Sequence, residues 1–245
     1  RATSGAGITH TMSLASTFGG KTVIVTPGTN ITTNSAYGLI LSGAATVSGT
    51  NTFTVNNNGS GTGTLTIGTG IISSTGSITK DGAGTLVLSG NNSFEGGVII
   101  KSGIVSGTTS ANAFGTGTIT IGDSSGSANA TLDGGFAGTH ANLISIASTN
   151  TGIATITSSA ASIFSGAVTL NSHDLKLSPA ASTLTLSGGI TGTGNLVLNA
   201  TAGGVITLQT ASTNNTGTIT NSGAGVAANV ISGGVGANVT AIIQN

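Results

Sequence analysis

Formal charge is nearly missing from this sequence. Arg1, Lys21, Lys80, Lys101 and Lys176 balance Asp81, Glu95, Asp123, Asp133 and Asp174, so charged residues make up 4% of 245 and the net charge is zero. No basic patch exists to attract phosphates, which argues against nucleic acid as a partner. Cysteine is absent too, and with it go disulfides, thiolate metal ligands and thiol nucleophiles. Tryptophan is missing, aromatics are 3%, and there are two prolines. Without proline or a strict three-residue glycine period, a collagen-like helix is excluded. No apolar run reaches the roughly 18 residues of a membrane-crossing helix, so no membrane span is expected. The chain opens on Arg1 and shows no signal peptide, which leads us to expect a processed or trimmed chain.

What remains is a small alphabet of glycine, serine, threonine and short aliphatics. Glycine supplies 42 residues, hydrophobic residues 37%, and mean hydropathy is +0.38. A disordered chain would be more charged and poorer in β-branched residues. Helical periodicity is missing, whereas short alternating runs recur, such as Thr64–Ile67, Thr85–Leu88, Thr118–Ile121, Leu175–Leu177 and Leu196–Leu198. One phrase, a Gly-x-Gly turn leading into an alternating strand, opens Gly61–Gly68, Gly82–Ser89, Gly115–Gly122 and Gly192–Asn199. A sandwich has no need to repeat one corner, but a solenoid reuses it in every coil. The expected fold is all-β: one right-handed parallel β-helix over residues 1–245, with about ten to twelve coils rising roughly 4.8 Å each.

Residues 77–122 carry more than this general grammar. Lys80, Gly82, Gly84, Thr85, Leu86, Leu88 and Gly90 are followed by Asn92, Phe94, Gly96, Gly97 and Gly103. Their order closely resembles the autotransporter-associated β-strand repeat of bacterial surface proteins: a lysine, a glycine turn and strand, an asparagine and an aromatic, a glycine pair, then a second strand. The resemblance implies a parallel β-helical passenger segment exported to the cell surface, with an adhesive or architectural role. The C-terminal stretch Asn238–Asn245 shows no series of alternating strands with aromatic girdles, so no translocator barrel is expected in this chain.

Candidate chemistry is sparse. Gly122–Gly126 satisfies G-x-S-x-G around Ser124, but a nucleophile elbow needs a strand-to-helix turn with a positioned histidine and acid. His10, His140 and His173 are far apart and read as solvated corner residues, not zinc ligands. The five acids are too dispersed for glycoside hydrolysis by paired carboxylates. We therefore expect no enzyme activity, no catalytic, cofactor-binding or metal-binding residues, and no cofactor.

The leading expectation is a subunit of an extracellular surface filament, its copies stacked head to tail. Behind it come a passenger-type adhesin fragment and, further back, an ice-binding solenoid using Thr-x-Thr rows, whose irregular intervals argue against strict register. Expected partners are other copies of the chain, with host-surface or matrix glycans as a further class. Phe94, Phe114, Phe136 and Phe164 recur near a coil length, and at least two are expected to stack in adjacent coils. With few carboxylates, stability is expected to stay nearly flat between about pH 4 and 10.

Overall fold

The computed structural model describes residues 5–71 and 75–245. Arg1, one of the five cations counted above, lies outside the described residues. Among these residues every regular element is a strand and every named strand pairing is parallel. Short strands separated by glycine and asparagine corners cannot form hairpins when each must pair with its counterpart one turn away. The result is a parallel β-solenoid of about nine turns, slightly fewer than the ten to twelve expected.

Two continuous faces run its length. The first stacks Tyr37–Leu41, Gly63–Ile67, Thr85–Ser89, Gly103–Thr108, Ala130–Gly134 and Ala154–Ser158, then continues through Leu175–Leu177 and Leu196–Leu198. The second stacks Thr22–Val25, Thr50–Val55, Ser77–Asp81, Val98–Ile100, Ile119–Ile121 and Ile144–Ile146, then Val168–Asn171 and Ile190–Thr193. Thr213–Asn221 bends across the corner and extends both faces. A third face is discontinuous. Ser16–Gly19 pairs Ala45–Ser48 early in the chain, and Thr139–His140, Ser162–Phe164, Thr183–Leu186, Val205–Leu208 and Val230–Ile231 pair later.

Strand alternation sends every second side chain inward, and register then places like on like. Leu65, Leu86, Val105, Leu132, Ile156, Leu177 and Leu198 form one buried row of the first face. Ile78, Val98, Ile119, Ile144, Val168 and Ile190 form its counterpart on the second. Medium aliphatics suit a tube whose opposing walls are this close.

Coil length is far less regular than register. Thr9 lies opposite Gly38, 29 positions on, whereas Thr85 lies opposite Ile104, 19 positions on. Corners absorb the difference, so irregular intervals in sequence do not break rows in space. Thr22, Thr52, Thr79, Ile99, Thr120, Ser145, Thr169, Thr191 and Asn214 occupy one such row. The row beside it holds Ile24, Thr54 and Asp81, so no matched Thr-x-Thr pair is maintained from coil to coil.

These rows assign unequal weight to neighbouring residues. Leu86→Ala, which opens a hole in the first-face row, is expected to cost about 2–5 kcal/mol. Thr85→Val, one residue away and on the outer surface, is expected to stay within about 0.5 kcal/mol. Urea unfolding of both variants, followed by circular dichroism, checks the contrast.

Candidate functional site

The segment singled out in the sequence occupies the corner between the second and first faces. Ser77–Asp81 pairs with Thr50–Val55 on one side and Val98–Ile100 on the other. Ile78 points inward, and Lys80, two residues later, must share its direction. Lys80 thus sits in an inward row between Phe53 and Ile100 and is fully buried.

A buried ammonium needs acceptors for its three N–H groups. The corner provides three: Lys80 Nζ donates to the carbonyl oxygens of Asp81 at 2.8 Å, Gly82 at 2.6 Å and Ser102 at 3.1 Å. Burial lowers the Lys80 pKa to about 8, opposed by the charge of Asp81. Asp81 faces outward and organises the same turn. Its Oδ1 accepts from the Gly82 N–H and from the Ser102 hydroxyl, each at 2.8 Å. The Ser102 bond comes first in holding the Asp81 carboxyl below the usual carboxylate range, helped by the Gly82 N–H and the charges of Lys80 and Lys101, with burial opposing.

Space for the lysine head comes from missing side chains. Gly103 has φ of +72°, and a Cβ there would lie 2.4 Å from the carbonyl oxygens of Gly82 and Gly84 and 2.8 Å from Lys80 Nζ. No other residue fits. Across the tube, buried Asn92 joins three coils: its Oδ1 accepts from Ile71 N–H at 2.6 Å and its Nδ2 donates to the Ala113 carbonyl at 2.5 Å. Phe94 follows it into the core, fully buried. The lysine, the glycines, the asparagine and the phenylalanine therefore perform one task, turning the chain through a coil while leaving no buried polar group unpaired.

These strands match a known family. Residues 78–106 fit the family model of the passenger-associated-transport-repeat. The match covers the buried lysine, both Gly-x-Gly positions, Asn92 and Phe94, and it agrees with the autotransporter-associated repeat read from the sequence. No curated protein and no solved structure gives a significant match to the chain. Within the matched repeat, Lys80 and Asp81 serve the turn itself: the lysine is spent on backbone carbonyls, and the aspartate on the Gly82 N–H and the Ser102 hydroxyl.

The other sequence candidates are scattered. Ser124 lies exposed in a turn closed by Gly126 N–H donating to the Asp123 carbonyl at 3.0 Å, and its own carbonyl accepts from the Thr149 hydroxyl. Asp123 meets Lys101 at 3.5 Å across neighbouring coils. His10 is exposed on a strand, and His173 Nδ1 donates to the Asp174 carbonyl at 2.7 Å. Among the described residues, no three of His, Asp and Glu converge in a group able to hold a metal ion.

His140 corrects the sequence reading. It is not a solvated corner residue but is fully buried, its ring centroid 4.9 Å from Phe114 and 5.2 Å from Phe164. The expected phenylalanine ladder is changed accordingly. Phe114 and Phe164 approach to 6.3 Å, yet they belong to coils separated by the one that carries His140. Phe18 and Phe53, which the spacing argument did not include, make an edge contact at 5.2 Å.

The passenger-repeat corner makes a testable claim. Lys80→Met keeps the stem but leaves three carbonyls without a donor, and is expected to cost about 2–4 kcal/mol. Gly103→Ala adds backbone strain and displaces the ammonium, and is expected to cost about 2 kcal/mol or more. The sign of the pH effect follows from the lowered pKa: the unfolded chain holds the Lys80 proton more tightly, so stability rises from about pH 8 towards the unfolded value near 10.5. Urea midpoints at pH 7.5 and 9.5 should show that rise in the parent and lack it in Lys80→Met.

Proposed function

We propose that this chain is a passenger-type segment of an exported bacterial surface protein, acting as a non-catalytic β-solenoid stalk outside the cell. The observation that carries this reading is the coincidence of the passenger-repeat match at 78–106 with consecutive, in-register strands of the solenoid. A repeat whose buried lysine, asparagine and phenylalanine serve the coil is a building unit, and a stack of such units makes an extended support. The dispersal of Ser124, the histidines and the five acids supports a structural over a chemical role.

The end-to-end filament, foremost among the sequence expectations, takes second place to this reading. Its support is the apolar surface on the outermost described coils, with Leu14 62% and Ile242 63% exposed. Adhesion to surface glycans likewise rests on the passenger resemblance and not on a specific pocket.

Location is the most direct test of the stalk. An epitope inserted beside Val226, which is 95% exposed, leaves the ladder rows intact. Intact source cells should bind the antibody without permeabilisation, and external protease should remove the signal. Labelling that appears only after permeabilisation would contradict the proposal.

A further inference from the structure

The core between Gly107 and Phe164 departs from the aliphatic rule. In the first-face row, Leu41, Ile67 and Leu88 are succeeded by Gly107, Gly134 and Ser158. Rings fill the volume released. A Cβ on Gly107 would lie 2.4 Å from Phe114 Cζ, and one on Gly134 would lie 3.2 Å from Phe164 Cε2. His140 lies between these two phenylalanines along the third side, with Phe136 approaching at 6.0 Å.

The imidazole tautomer follows from its neighbours. His140 Nδ1 is 2.9 Å from the Ala111 carbonyl oxygen, which only accepts, so Nδ1 carries the proton. Nε2 is left as a bare lone pair, buried and without a hydrogen-bond partner. Around it stand the phenyl rings of Phe114, Phe164 and Phe136. The segments that pack on His140 bring one charge to bear, the Asp133 carboxylate. That carboxylate is engaged elsewhere, accepting from Ser106 and Ser159 hydroxyls at 2.7 and 2.9 Å and from the Ser159 N–H at 2.8 Å.

We propose that the Phe114–His140–Phe164 stack is an acid-sensitive seam: a proton added at His140 Nε2 opens the coils between Gly107 and Phe164 while the flanking aliphatic coils stay paired. An imidazolium there would have one buried N–H among phenyl rings with no protein acceptor. Burial is the main cause that lowers the His140 pKa, with the Ala111 bond and the Asp133 charge opposing it. The sign follows. The unfolded chain takes the proton near the ordinary histidine value of about 6.5 and the folded chain does not, so stability falls as pH drops below that value. On this proposal the nearly flat profile expected from composition would not hold on the acid side. This inference is independent of the passenger reading, since it rests on core packing alone.

The test compares the full chain with His140→Phe, which keeps a ring and removes the titratable nitrogen. Between pH 6.5 and 4.5 the unfolding equilibrium of the parent should shift by up to about fiftyfold more than that of the variant. Hydrogen exchange at pH 4.5 should show protection lost first at Gly103–Thr108, Ala130–Gly134 and Ser162–Phe164. Equal shifts in the two proteins, or uniform loss of protection along the rod, would overturn the proposal. Should His140→Phe not fold, histidine NMR of the parent decides the matter. A His140 ring that titrates above pH 6 with exchange protection intact overturns the seam, and one that stays neutral until protection is lost supports it.

Discussion

Everything in this structure depends on register between successive coils. A parallel ladder fixes the rise at about 4.8 Å per turn, so each inward side chain meets a counterpart directly above and below. Once that spacing is imposed, side-chain choice follows. Rows such as Leu65–Leu86–Val105–Leu132–Ile156 can be long because every member has a similar shape and none carries a polar atom. The corners carry the irregularity, holding between them the difference between a 19-residue and a 29-residue coil. Register is thus the rigid quantity and loop length the soft one, which agrees with the slow growth of closure cost with loop length.

A polar group in such a core must find partners inside it, and Lys80 and His140 show how differently that can be arranged. Lys80 brings three donors and meets three carbonyls, in space left by Gly103. His140 brings a donor and an acceptor, and only the donor is satisfied. The first arrangement strengthens a corner at neutral pH. The second leaves a site that acid can attack. Both substitutions of polar for apolar are matched by glycines nearby, because a coil of fixed cross-section must lose volume in one row to gain it in another.

Much of the fold was legible in the sequence. The repeated Gly-x-Gly phrase marks the corners, alternation marks the strands, and their combination points to a solenoid. Lys80 could have been placed in the core as well, since it stands two residues after Ile78 in one strand, but charge made a surface position the natural expectation. His140 had no such signal. Its strand is only two residues long, and its burial is decided by Phe114 and Phe164, 26 positions before and 24 after it. The phenylalanine spacing was close to a coil length for the same reason the aromatics cluster, yet variable coil lengths shifted which rings became neighbours. The Thr rows were hidden by the same variation: intervals that look irregular along the chain become aligned once corners take up the slack.

The central claim is therefore the register, and cysteine cross-linking reads it directly because the native chain has no thiol. Thr131 and Thr155 are outward partners in adjacent coils, while Lys176 is the next residue in that row, one coil further on. Adjacent partners lie within the roughly 4.4–6.8 Å Cα separation that a disulfide spans, and a two-coil step of about 9.6 Å does not. Under mild oxidation, the Thr131→Cys/Thr155→Cys protein should form an intramolecular disulfide and the Thr131→Cys/Lys176→Cys protein should not. Equal cross-linking of both pairs, or none in the adjacent pair, would contradict the solenoid register on which this account is built.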